Sequence, residues 1–196
     1  MRHDLRLNGH AFALRPVTQE DAEFIVNLRT SDPQRVRFLH PVTPDVEAQR
    51  TWLDRYFDRS DDYYWVIERM NSREREGLIG IYDLDAKRRT AEWGRWVLRL
   101  GSLAAVESAL LVYHAAFEPL KLDLLYCMTA AENLPVLSFH DSCGLIRVAT
   151  LRQHFQFGDH KHDAVKHVCT RQGWPVVCER LESQAKAMAR RLQSHA

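Results

Sequence analysis

Apolar residues recur along this chain with two periods, and the switches between them divide it into elements. Phe12-Ala13-Leu14-Arg15 is a short apolar run that predicts a first strand. Ala22, Ile25 and Leu28 follow at helical spacing, which predicts a helix N-capped by Thr18 with Glu20 and Asp21 in its first turn. Asp32-Pro33 breaks the chain. Thr43-Pro44 predicts the start of a second helix, with Pro where its missing N–H costs nothing, and Val46, Trp52, Leu53, Tyr56 and Phe57 form its apolar side. Tyr63 to Glu68 is aromatic and β-branched, hence a strand. After a turn at Asn71-Ser72-Arg73-Glu74, the runs Leu78 to Leu84 and Thr90 to Leu98 predict two more, joined as antiparallel hairpins.

Leu103, Val106, Leu110, Tyr113 and Phe117 recur at three and four, a strong helical signal. The next strand is expected at Leu124 to Met128, parallel to Thr90–Leu98 because a helix connects the two. Asn133-Leu134-Pro135 opens a short helix, Val136 to Cys143, that stops at Gly144. Strands near Val148–Phe157 and Ala164–Thr170 flank a turn at Gly158-Asp159. Pro175 to Gln193 predicts a terminal helix, whose Val177, Leu181, Met188 and Leu192 dock on its own domain or on a partner such as a second copy in a homodimer. Residues 1–174 are thus expected to form one domain and 175–196 a helical extension.

Composition changes this picture little. Hydrophobic content of 45% and charged content of 27% are ordinary for a globular chain. A net charge of +1 gives no electrostatic footprint for nucleic acid or an anionic membrane. With no apolar leader and no run near the roughly 20 residues of a membrane helix, the expected location is cytoplasmic. Cys127, Cys143, Cys169 and Cys178 are widely spaced and read as reduced thiols.

Candidate chemistry gathers between residues 89 and 145. The turn Arg99-Leu100-Gly101-Ser102 aims a strand at a helix N-terminus, where the N–H groups of Ser102, Leu103, Ala104 and Ala105 are expected to lack intrahelical partners. Such an end favours phosphate, although a plain strand-to-helix turn would look the same. Glu92 stands on the strand before it, as a proton acceptor or a salt-bridging carboxylate. His140 lies on the Asn-led helix, as a proton donor or a packed residue, with Ser138 and Ser142 as alternatives. Arg29 and the aromatics Tyr64, Trp65, Trp93 and Trp96 could meet an acceptor or belong to the core. His160-x-His162, with His154 and His167, is a weak metal signal lacking a completing carboxylate or thiolate; no metal is expected.

The order of elements, with Leu14-Arg15-Pro16, Asn27-Leu28-Arg29, Glu92-Trp93-Gly94, Ala116-Phe117-Glu118, Asn133 before Ser138-Phe139-His140, and the stretch Asp163 to Trp174, resembles the GNAT acyltransferases. It is similar in particular to the branch containing ribosomal-protein N-terminal acetyltransferases and amino-sugar acetyltransferases of the pseudaminic-acid pathway. The resemblance implies an α/β fold, a single GNAT-like domain with a mixed, strongly bent sheet, helices on both faces and a C-terminal helix. It also implies acetyl-CoA as acyl donor. The family's pyrophosphate motif, R/Q-x-x-G-x-G/A, falls on Leu100-Gly101-Ser102-Leu103-Ala104-Ala105, where the leading Arg/Gln and the internal Gly are replaced. Trp96, Val97 and Leu98 would pair with the pantetheine arm by their backbone, and Asn133 would touch it from the other side.

By the same resemblance Glu92 takes the amine proton. His140 stands where many members carry a Tyr that protonates the departing thiolate; an imidazolium near ~6.5 could protonate a thiol near ~8.5. The implied reaction is acyl transfer to a primary amine, with a nucleotide-linked amino sugar the favoured acceptor, and the resemblance to the amino-sugar branch implies a nucleotide contact at Gln49 on the second helix. A protein N-terminus is the second reading, and a non-catalytic acyl-CoA-binding domain the third.

Overall fold

Eight strands form one mixed sheet in the computed structural model, which describes residues 3–194. Along the chain run β1 (Leu7–Asn8), β2 (Phe12–Pro16), a 3-10 turn (Gln19–Asp21), α1 (Ala22–Thr30), α2 (Pro33–Val36), α3 (Val46–Phe57), β3 (Tyr63–Arg69), β4 (Arg75–Asp85) and β5 (Thr90–Leu98). Then follow α4 (Ala105–Phe117), β6 (Leu124–Ala130), α5 (Leu134–Cys143), β7 (Ile146–Phe157), β8 (His160–Thr170) and α6 (Trp174–Ser194). The spatial order is β1-β2-β3-β4-β5-β6-β8-β7, and β5–β6 is the parallel pair. This is the single α/β domain expected, with six α-helices among the described residues.

Strand alternation assigns the two faces. Trp65 and Ile67 of β3 pack with Ile79, Ile81 and Trp93 under α4 and α6, while Tyr64 and Val66 pack with Leu78 under α1 and α3. On β5, Trp93 belongs to the first layer and Val97 to the second. Residues four apart in a regular strand share a face, so the strand must slip between them. Arg95 supplies the slip: its φ is 49°, and three residue steps on β5 (Gly94 to Val97) oppose two on β4 (Gly80 to Leu78). A bulge of this kind reorients every side chain beyond it.

β5 and β6 pair at Thr90↔Leu124, Ala91↔Leu125 and Glu92↔Tyr126 and then part. β5 stays with β4 as far as Leu98, and β6 stays with β8 as far as Ala130. The sheet therefore opens into a V whose apex is Glu92.

Several expectations are corrected. The second helix starts two residues later than expected: Asp45 caps it, accepting the N–H groups of Glu47 (2.8 Å) and Ala48 (3.1 Å), so Pro44 lies outside. The break at Asp32-Pro33 holds a short helix, α2, capped by the Asp32 carboxylate. The terminal helix docks on its own domain, the first of the two expected alternatives. The Trp174 ring stacks 5.7 Å from Tyr113 and 5.6 Å from Phe117, and Val177, Leu181, Ala185 and Ala189 are buried, most of them in the core layer shared with α4.

Candidate functional site

The V encloses a chamber of about 790 Å³. Its floor is Glu92 to Trp96 on one arm and Cys127 to Ala130 on the other; Asn133, Val136 and His140 of the α5 segment close one side. Arg29, the 38–43 segment and α3 close the opposite side, and Phe155 and Phe157 reach in from the long β7–β8 hairpin. Of the residues expected to carry chemistry, Glu92, His140, Asn133, Arg29, Gln49, Tyr64, Trp93 and Trp96 all line this one space.

Glu92 sits at the apex. Burial pushes its carboxyl up to about 7, and Asp83 adds to the effect, while the Tyr82 hydroxyl, Lys166 and Arg95 act against it. Tyr82 donates to Glu92 Oε1 over 3.1 Å. Its hydroxyl occupies the space that a side chain at position 94 would need: a Cβ on Gly94 would lie 2.5 Å from Tyr82 Oη. Glu92-Trp93-Gly94 is therefore one device, an acid and the gap through which its partner reaches it.

The bulge beside Glu92 is locked from outside the strand. The Arg95 guanidinium forms a two-pronged pair with Asp62, at 2.6 and 2.8 Å, and Asp62 is 4% exposed. The same guanidinium lies 4.6 Å over the Tyr82 ring and 5.4 Å over Tyr64.

His140 is buried at 2% exposure inside an aromatic shell: Trp93 at 5.4 Å, Phe139 at 5.6 Å, Trp96 at 6.5 Å and His167 at 5.1 Å between ring centroids. Its Nε2 lies 3.4 Å from Cys127 Sγ. Burial, and then the neighbouring His167, push its pKa down to about 3. A pKa this low leaves the imidazole neutral at physiological pH, where the family resemblance suggests an imidazolium acid near 6.5. Burial likewise holds the Cys127 thiol well above the ordinary thiol range, so it keeps its proton.

β5 leads out of the chamber through Val97 and Leu98 into the turn at Gly101, whose φ is 78°. Here the expected set of free N–H groups shifts along the chain. Ser102 N–H donates to the Arg99 carbonyl (3.2 Å), and Ala104 N–H to Ser102 Oγ (3.3 Å). Because α4 begins at Ala105, the N–H groups without an intrahelical acceptor are those of Ala105, Val106 and Glu107. Leu100 and Leu103, which replace the motif's Arg/Gln and Gly, point outward at 85% and 41% exposure.

Residues 12–146 match the family model described as an acetyltransferase (GNAT) domain. The chain belongs to the GNAT family. Among solved structures it resembles FdhC, a nucleotide-linked sugar GNAT, with 26% identity over 88% of this chain and 94% of that one, at a TM-score of 0.75. A GCN5-related N-acetyltransferase from Brucella melitensis shares the fold at 19% identity and a TM-score of 0.80, covering 93% and 86% of the two chains. So does a spermidine N-acetyltransferase SpeG chimera from Vibrio cholerae, at 17% identity and 0.75, covering 84% and 98%. No curated protein sequence matches the chain.

GNAT acetyltransferases use acetyl-CoA as acyl donor, and this chain is built to take one. From Trp93 onward β5 has no ladder partner on its β6 side, which leaves an edge for an extended chain. A Cβ on Gly101 would meet nothing within 4 Å, so the turn is open to a bulky polar group. Asn133, at the N-cap of α5, makes no side-chain cap bond and faces the chamber. These residues, with the three free N–H groups of α4, could hold the donor although the pyrophosphate motif is degenerate.

Not every candidate belongs to the site. Trp65 is fully buried on the opposite face of the sheet, its Nε1 donating to the Leu5 carbonyl at 2.8 Å, and it cannot touch an acceptor. Ser138 is exposed and outside the chamber walls, and Ser142 is spent on the Phe139 carbonyl (2.8 Å). The histidines diverge: His162 pairs with Glu132 at 3.1 Å and His167 with Asp141 at 3.2 Å. Among the described residues no three His, Cys, Asp or Glu side chains form a metal cluster, and no helix is long and apolar enough to cross a membrane. Tyr82, Arg95, Asp62 and Cys127 were not anticipated as site residues. Only Tyr82 left a signal, as an aromatic residue on the strand expected to pair with the one carrying Glu92.

Proposed function

We propose that this GNAT enzyme acetylates the amine of a nucleotide-linked amino sugar. Acyl transfer to an amine follows from the family; the acceptor is inferred from the charge of the chamber. Four arginines line it, Arg29, Arg55, Arg59 and Arg95, against two carboxylates, Asp83 and Glu92. Asp62 neutralises Arg95, and it also pairs with Arg59 at 3.3 Å. Arg29 donates to the His40 carbonyl and keeps a buried Nε without a partner, and Arg55 donates to the Thr51 carbonyl. Neither of these two is matched by a carboxylate in those contacts. A polycationic amine would meet this wall unfavourably, while a phosphate-bearing one would be drawn to it. The aromatic surface of Trp52, Tyr64 and Phe157 suits a sugar or a base.

Acetyl-CoA, when bound, supplies the activated thioester carbonyl. Glu92 takes the proton that the amine must lose as the new N–C bond forms. With its carboxyl raised to about 7, it is a stronger base than an ordinary carboxylate. Backbone N–H groups that β5 leaves without a β6 partner beyond Glu92 could polarise a carbonyl. His140, being neutral, offers a hydrogen bond to the departing sulfur and not a full positive charge.

The charge argument is tested by the variant Arg29→Gln/Arg55→Gln. KM for a nucleoside-diphosphate amino sugar should rise roughly tenfold or more while KM for an uncharged amino sugar stays constant. Equal effects on both acceptors would refute the reading.

A further inference from the structure

We infer that Cys127 is a positioning residue that sets the tautomer of His140, placing the single imidazole proton on Nδ1. A neutral imidazole carries one N–H, and its other nitrogen is a bare lone pair. Nε2 faces Cys127 Sγ at 3.4 Å, and Nδ1 is buried with no hydrogen-bond partner among the described residues. Two arrangements are open. Either the thiol donates to Nε2 and the ring proton sits on Nδ1, or Nε2–H points at sulfur and Nδ1 is left bare.

The shell around the ring decides between them. Each N–H it contains is already committed. Trp93 Nε1–H goes to the Tyr113 hydroxyl (3.0 Å) and Trp96 Nε1–H to Ser108 Oγ (3.1 Å). His167 Nε2 lies 3.2 Å from the Asp141 carboxylate, which can only accept, so the proton of His167 is on that nitrogen and its Nδ1 has none to give. A bare Nδ1 on His140 would thus be a buried acceptor with no donor in reach, a costly state. An N–H at Nδ1 can instead rest against the faces of the surrounding aromatic rings, which accept weakly. The Cys127 thiol, which stays protonated, supplies the donor that Nε2 needs.

The consequence is directional. His140 and Cys127 both line the chamber, and with Nε2 held by the thiol, Cys127 fixes which way round the neutral ring stands beside it. The tautomer itself does not depend on which acceptor is used; only its effect on rate rests on the acetyl-transfer reading above.

Long-range ¹H–¹⁵N spectra of the full chain labelled at histidine test this, with His140→Gln assigning the signals. The expected result is a protonated Nδ1 and an unprotonated Nε2 at His140 in the wild type. Cys127→Ser, which keeps a donor, should preserve that pattern, and Cys127→Ala should move the proton to Nε2. Turnover should fall roughly tenfold in the alanine variant with KM for acetyl-CoA unchanged, and recover in the serine variant. A wild-type His140 protonated at Nε2, or an alanine variant with the wild-type tautomer, overturns the inference. If the alanine variant fails to fold, the wild-type and serine spectra decide alone. An intact tautomer in an enzyme that ignores nucleotide-linked amino sugars would overturn the acceptor assignment and leave this inference standing.

Discussion

The Tyr82 hydroxyl donates to Glu92 Oε1 across 3.1 Å, through the opening left by the missing side chain of Gly94. The bond favours the charged carboxylate and so holds the Glu92 pKa below what burial alone would produce. Tyr82→Phe should move the acid limb of the kcat/KM profile to higher pH, above its wild-type position near 7. Gly94→Ala should do the same or worse, since its Cβ displaces the tyrosine. A pH profile of either variant that superimposes on the wild type would remove Tyr82 from the account.

Glu92→Gln separates chemistry from binding. A lost general base costs about 10²–10⁴-fold in turnover. Calorimetric affinity for acetyl-CoA should remain within a few-fold, because Glu92 lies at the apex of the V while the candidate donor groups lie beyond it. A variant that loses donor affinity and keeps its single-turnover rate would contradict the base assignment.

Arg95 and Asp62 hold the bulge. Asp62→Asn leaves the guanidinium without its main counter-ion, and breaking a buried pair from one side costs about 3–5 kcal/mol. The aromatic faces of Tyr82 and Tyr64 cover the guanidinium but do not neutralise it. Urea unfolding should show the loss. Turnover should fall further than a surface carboxylate variant such as Asp58→Asn, which serves as the control. Equal stability of the two variants would show that the bulge does not need its clamp.

Stability against pH carries two opposed signatures. Folded Glu92 titrates at about 7 against an ordinary 4.5, so between those values the folded state holds the extra proton and stability declines as pH rises. Folded His140 titrates at about 3 against an ordinary 6.5, so the unfolded chain takes up a proton first and stability is lost as pH falls through that window. Going from pH 8 to pH 5, His140→Phe should therefore lose less stability than the wild type, and Glu92→Gln should lose more. Chemical unfolding at the two pH values measures both, and like-signed changes would contradict the burial described for one of the pair.

Much of this was legible before any coordinates. The strand Thr90–Leu98 has the bounds its pattern indicates, and the parallel return to Leu124 follows from the helix between them. What stayed hidden depends on partners distant in sequence. The bulge at Arg95 arises from register against β4, and the positive φ falls on the arginine and not on the adjacent Gly94. α2 spans four residues, too few to show a helical period, and the Asp45 cap competes with Thr43 two residues before it. β8 begins in polar His160-Lys161-His162, where no apolar alternation announces a strand. At the site, Glu92 could be named from its strand, but the neutrality of His140 could not. That property comes from Trp93, Trp96 and His167, which only folding brings around it.

The acceptor is tested most directly by steady-state acetyl transfer from acetyl-CoA across three amine classes: nucleoside-diphosphate amino sugars, spermidine, and short peptides with free N-termini. The account predicts that kcat/KM for a nucleotide-linked amino sugar exceeds the other two by about 100-fold or more, the scale on which a site that pairs charged groups discriminates. A preference for spermidine or for a peptide N-terminus would contradict it.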